Sequence, residues 1–260
     1  MMKSKKKLSR KMKGTMALAA VAAGLLLVSG IGSTRAALTY FSEDYTAHME
    51  VQNIGVSLVE NGNIVSYRDY DYTDKNNQWH QSTGDLLSSM LSSTGDENVV
   101  IGKAYPEVLT VTNSGSIDEY VRVIVTKYWE DEDGNKDVTV SPSLIDLNFT
   151  TGNGWVIDES AGSAERTVLY YTNIVPVGAS TPAFTDTIKI DAAVNNRVTE
   201  ETVSVKDGYT VITTKYDYDG KKFVVKAEVN AVQTHNAADA IKSAWGVNVS
   251  VGGNGSYSIQ

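Results

Sequence analysis

Residues 120–129, YVRVIVTKYW, set Val121, Val123 and Val125 on one side of an extended chain and Arg122, Ile124 and Thr126 on the other. Side chains of a strand point alternately to its two faces, so a run of period two reads as β structure with one face turned inward. The same alternation returns at 51–58 (with an irregularity near Gly55), in PEVLTVTN, and at 144–149, 155–158, 167–172, 184–190, 209–216 and 223–233. Turn chemistry separates these runs. Asn61-Gly62 closes the first, Asp133-Gly134 predicts a hairpin after Trp129, and Asp219-Gly220 predicts a second hairpin joining the last two strands. With no cysteine in 260 residues, no disulfide can brace the fold, and a packed core must hold it. Many short strands at intervals of roughly 8–12 residues point to an all-β fold, a jelly-roll-like β-sandwich.

Two stretches break the pattern toward helix. THNAADAIKSAWG places Asn236 as N-cap, Ala237 to Ala244 as helix formers and Gly246 as the stop, a short C-terminal helix. DLLSSMLS, residues 85–92, is a weaker candidate inside a polar insert, Tyr67 to Asp96, which has no clear period and reads as a loop or irregular excursion.

The N-terminal residues follow a different logic. Met1 to Lys13 holds seven basic residues and no acid, Met16 to Val28 is apolar throughout, and Ser29 to Thr34 is rich in small residues. That order is the order of a secretory signal peptide, here residues 1–36. The rival, a membrane anchor, is weakened by an apolar run shorter than the ~20 residues that cross a bilayer comfortably. Thr34 and Ala36 offer small side chains at −3 and −1 for a cut between Ala36 and Ala37. Residues 37–260 then read as a single sandwich domain, with contact to the membrane only in transit. The chain carries 23 Lys plus Arg against 31 Asp plus Glu; losing the leader's eight basic residues moves the net charge from −8 to −16. An acidic exported chain of this kind does not bind nucleic acid or anionic lipid by bulk charge.

Motifs for chemistry are sparse. His48, His80 and His235 are scattered, with no HExxH pair to hold a catalytic zinc, no GxSxG and no glycine-rich phosphate loop. DEDGNKD alternates Asp131, Asp133, Asn135 and Asp137, but its glycine stands fourth rather than sixth, as a hairpin requires and a calcium loop does not. Tyr67, Tyr70, Tyr72 and Trp79 have the composition of a sugar-stacking platform, and equally of a loop packed on a sheet, the favoured reading; Trp129, Trp155 and Trp245 are expected to pack in the core or its rim. No metal, cofactor or catalytic residue is expected.

Four segments in order, STRAALTYFSED, VLTVTNSGSIDEYVRV, VLYYTNIVPVGASTPAFTDTIKI and AEVNAVQTHNAADAIKSAWG, resemble the TasA and camelysin (CalY) family of exported Gram-positive proteins. TRAA stands where that family has Thr, any residue, Ala, Ala, with an aromatic soon after. The resemblance implies cleavage at Ala36/Ala37 by a SipW-type signal peptidase and a jelly roll that polymerises into extracellular-matrix, biofilm or cell-surface fibres. It also implies that the freed N-terminal segment, about residues 37–46 and beginning Ala37, Leu38, Thr39, Tyr40 and Phe41, adds as a strand to the next subunit. Camelysin-like members carry a metalloprotease label, which is not transferred to a chain lacking a zinc motif. The leading expectation is therefore a secreted, non-enzymatic fibre subunit. The alternative is a monomeric envelope module that binds glycan or protein, and a metalloprotease ranks last.

Overall fold

The computed structural model describes residues 53–71 and 78–260. These belong to one compact unit, Val51–Gln260. The unit is an all-β sandwich. Its first layer begins with β1 (Val56–Glu60), which turns at Asn61-Gly62 into β2 (Asn63–Asp71), followed by β3 (Gln78–Ser82). Both turn residues have positive φ, 48° and 85°, as a tight two-residue hairpin requires. After the five-residue helix α1 (Met90–Thr94), β4 (Tyr105–Pro106) and β5 (Leu109–Asn113) follow, and the strand order is β3-β2-β1-β5. A second set, β4-β11-β8, comprises β8 (Ile145–Phe149) and β11 (Thr185–Ile190) beside β4. The two sets are stitched together where the lead-in to β11 runs along β5: Asn113 donates to Ala179, Thr181 to Val111 and Phe184 to Leu109.

The opposite layer has the order β14-β6-β10-β9: β6 (Glu119–Glu130), β9 (Trp155–Ile157), β10 (Arg166–Val175) and β14 (Lys222–Gln233). The chain passes from β5 to β6, back to β8, over to β9 and β10, back to β11 and finally to β14. These repeated crossings are wiring of the jelly-roll kind. Val121, Val123 and Val125 are fully buried, as their alternation predicts, and meet Leu58, Leu109, Val111, Ile145 and Ile188 from the other layer. Each such side chain taken out of water contributes about 1.5–3 kcal/mol. Trp155 sits within the core, its ring 5.2 Å from Phe184 and its indole N–H donating to the Pro182 carbonyl at 2.8 Å. Trp129 is buried in the same cluster.

The outer face of the second layer is sealed by α2 (Ala237–Trp245) and by the small pair β15 (Val249–Val251) and β16 (Tyr257–Ile259). Ile241 and Trp245 pack on Tyr120, Val168, Tyr170 and Val232 in a second core. Gly246 ends α2 at φ 78°, as expected, but Asn236 does not cap it through its side chain; it takes a left-handed conformation instead.

Three expectations need correction. The insert expected as a loop or irregular excursion from Tyr67 to Asp96 carries the end of β2, all of β3 and α1, because β2, paired with β1 on one side, pairs with a third strand on the other. The weak helix at 85–92 forms only from Met90. Asp219-Gly220 does not close a hairpin between paired strands. Instead β13 (Tyr209–Tyr216) pairs with β12 (Val198–Lys206), closed by Asp207-Gly208 at φ 53° and 81°, while β14 pairs along its whole length with β6. The β12–β13 ribbon has the two-residue loop of a tight hairpin, and it leaves the sandwich. By contrast, residues 131–135 do form the predicted turn, joining β6 to the short β7 (Lys136–Asp137), with Asp131 Oδ1 accepting from the N–H groups of Asp133 and Asn135.

Candidate strand-accepting groove

The odd-numbered residues of β14 continue the core face of β6. Ala231 lies opposite Val121, Val229 opposite Val123, and Ala227 opposite Val125. Yet burial falls off across that one step. The three valines of β6 are 0–1% exposed, whereas Ala227, Val229 and Ala231 are only half-buried. The reason lies at the edge: among the described residues, no strand pairs with the far side of β14. Along these twelve residues, alternate N–H and C=O groups point outward with no strand to meet them among the described residues, beside an apolar row that is half covered.

The space beyond is a groove of about 570 Å³ between the two layers. Leu58 and Val65 of the first layer form one wall, Phe223, Val225 and Ala227 of β14 the other, and Leu86 to Leu91 close one end. This end wall is held tightly. At Gly84 a Cβ would come within 2.2 Å of the Val65 carbonyl oxygen, so only glycine permits that approach. Leu87 takes a left-handed conformation, φ 65°, and its N–H donates to Glu60 Oε1 at 2.6 Å.

Glu60 is buried, and beside it stands Glu107, with no surface exposed and no hydrogen-bond donor at either carboxylate oxygen. Burial, and then the charge of Glu60, push the Glu107 carboxyl up to about 8. A proton on Glu107 relieves both effects, since its hydroxyl can then donate to Glu60.

The residues expected to act in processing and assembly, Ala36 and Ala37 at the cut and Ala37, Leu38, Thr39, Tyr40 and Phe41 in the donor segment, lie outside the described residues. So do His48 and Tyr72, and so do the side chains of Tyr70, Trp79 and His80. Tyr67 is 38% exposed on β2, and His235 is exposed just before α2. Among the described residues, no three or more His, Asp or Glu side chains cluster as metal ligands would. The groove itself was not anticipated. Its walls come from β1, β2, the 84–91 segment and β14, and the one local signal was that β14 is as long and as alternating as β6, which is paired on both sides. Comparison with protein-family models, with curated proteins and with solved structures finds no match to this chain.

Proposed function

We propose that the chain is a secreted structural subunit that builds extracellular fibres, the segment 37–46 of one copy entering the β14 groove of the next. One observation carries this reading: a sandwich whose core face stops being covered at β14, where strand pairing also stops. What such a gap accepts is an extended peptide, whose backbone satisfies the edge while its side chains fill the groove. Ten extended residues span about 33 Å, close to the length of the 12-residue edge. Ala37, Thr39 and Phe41 fall on one face of that peptide and Leu38 and Tyr40 on the other, so either face brings apolar side chains. Head-to-tail transfer of a segment leaves a groove open at one end and a donor free at the other, and this extends into filaments unless a ring closes. The resemblance to the TasA and camelysin family supports the same reading, with export by a signal peptide and release by a SipW-type peptidase.

The test is electron microscopy of the secreted chain beside two variants, Leu38→Asp with Phe41→Asp, and Ala227→Lys in the groove wall. The parent should form filaments and both variants should remain soluble, with an unchanged β-type circular dichroism spectrum. Filaments in either variant, as readily as in the parent, would show that another edge polymerises. A parent that stays monomeric at all concentrations would show that the chain fills its own groove, and the fibre reading would fall.

A further inference from the structure

The β12–β13 ribbon stands apart from both cores. Every residue of β12 is exposed, and on β13 only Thr214 and Tyr216 are partly covered. Its base is tied by a backbone bond from Asp217 N–H to the Arg197 carbonyl, 2.9 Å. Beyond that base the two strands pair only with each other among the described residues. Cross-strand neighbours share a face, so Val203 and Ile212, with Val205 and Thr210, make an apolar patch on one side of the ribbon. Val203 is 61% exposed, Val205 77% and Ile212 60%. A two-stranded ribbon without a core is marginal in water, and one whose apolar face and edges are all open is suited to pairing.

The sequence of β12 names the partner. Glu200 and Lys206 stand three residues either side of Val203, with only Glu201, Thr202, Ser204 and Val205 between. Laid antiparallel against a second copy about Val203, the strand brings Glu200 opposite Lys206 twice, Glu201 opposite Val205 twice, Thr202 opposite Ser204, and Val203 opposite itself. No such complement exists on β13, which carries Lys215 and no acid from Tyr209 to Tyr216. The backbone is also oriented for this. In a two-residue hairpin the pair Lys206–Tyr209 next to the turn is hydrogen-bonded and pairs alternate from there, so Val203 and Val205 turn their N–H and C=O groups outward, away from β13.

We propose that β12 is a self-pairing edge, and that two copies of the chain join antiparallel through residues 200–206 about a two-fold axis at Val203. The product is a four-stranded sheet, β13-β12-β12-β13, with one face centred on Val203, Val205 and Ile212 of both copies, where Glu201 of each flanks Val205 of the other, and a charged face in which Glu200 meets its own Lys215 and the second copy's Lys206. The contact closes on itself, so it yields pairs rather than chains. It does not depend on the groove or on the donor segment; where fibres form, it would tie one to another side by side.

The absence of native cysteine makes the test direct. Three single-cysteine variants of the secreted chain, Val203→Cys, Val205→Cys and Ile212→Cys, are oxidised and run on non-reducing gels. In the Val203→Cys dimer the two thiols would face one another at about 5.5 Å between Cα atoms, within disulfide reach. In the Ile212→Cys dimer they would be three strand spacings apart, about 14 Å, and out of reach. Covalent dimer should form about tenfold faster from Val203→Cys than from Ile212→Cys, for the same geometric reason. It should form equally in the Leu38→Asp, Phe41→Asp background, which separates this contact from fibre growth. Charge reversal gives the second arm, read by sedimentation in that same background. Glu200→Lys and Lys206→Glu should each lose the dimer alone, whereas the two variants mixed should regain it, each supplying the charge the other lacks. Equal cross-linking at all three cysteines, or a mixture no more dimeric than its components, would overturn the proposal.

Discussion

β14 and β12 each carry an edge that no described strand pairs, but they differ in what stands behind them. Behind β14 lies the main core. Its odd-numbered side chains extend the row set by Val121, Val123 and Val125, and across the gap Leu58 and Met90 are already buried. Behind β12 there is only β13, and the apolar side chains of both are open to water. A strand added to β14 gains burial on a surface already shaped by a folded body, while a strand added to β12 must help build the face it packs on. An unpaired edge therefore has two meanings. In the groove it marks a missing piece of one core, and on the ribbon it marks half of a symmetric sheet.

Substitution is the sharpest way to separate the two regions. Leu58→Ala, at 3% exposure on the groove wall, should cost about 2–5 kcal/mol, the range for truncating a buried leucine. Ile212→Ala on the ribbon should change the stability of the monomer, read by urea unfolding, by no more than about 0.5 kcal/mol. Comparable losses at both sites would mean that the ribbon packs on the body in solution, and the contrast would collapse.

Acidity probes the groove end alone. Glu107 has its carboxyl raised to about 8, by burial first and by the charge of Glu60 second, against an ordinary value near 4.5. The folded chain therefore holds a proton that the unfolded chain has released. Its stability is fully retained below about pH 4.5 and is lost as pH rises through about 8. At about 1.4 kcal/mol per unit the loss is on the order of a few kcal/mol. Asp137, held low chiefly by its hydrogen bond to Lys221, acts in the opposite sense and in the acid range, so the windows do not overlap. Glu107→Gln should nearly match the parent at pH 5 and be more stable at pH 8.5, since an amide can donate to Glu60 at any pH. Parallel stability curves for parent and variant between those values would remove the buried pair from the account.

How much of this was legible in the chain follows from where each signal is stored. Alternation is local, so the valines of β6, the turn at Asn61-Gly62 and the stop at Gly246 were readable in place. Pairing is not local. Two Asp-Gly steps flank β13, at 207–208 and 219–220, and nothing within them says which strand β13 will take. The choice is made by β14, whose long alternating row is buried only against β6, and β13 is left to the polar stretch VTEETVSVK, which reads weakly as a strand. β15 and β16, three residues each, are too short to show a period. The groove was least legible, because an absent neighbour leaves no mark on the strand that lacks it. Glu60 and Glu107 meet only because β1 pairs with β5, which sets Glu60 opposite Leu109, two residues past Glu107.

The smallest effect tests the ribbon's own integrity. Asp207 and Gly208 both sit at positive φ, which the two-residue turn demands, and Gly208 at 81° has nothing within 4 Å of where a Cβ would stand. The cost of Gly208→Ala is therefore one of backbone strain without a clash, about 1 kcal/mol. In the body such a cost would be shared by the whole cooperative fold. In a ribbon joined to the body only at its base it should be felt locally: amide exchange from 200 to 215 should speed up by about fivefold, which is 1 kcal/mol expressed as an opening equilibrium. Exchange at Val123 and Val125 and the global urea midpoint should not move. If the midpoint fell by the full amount, ribbon and sandwich would unfold as one unit, and β12 would not be free to offer its edge to a second copy.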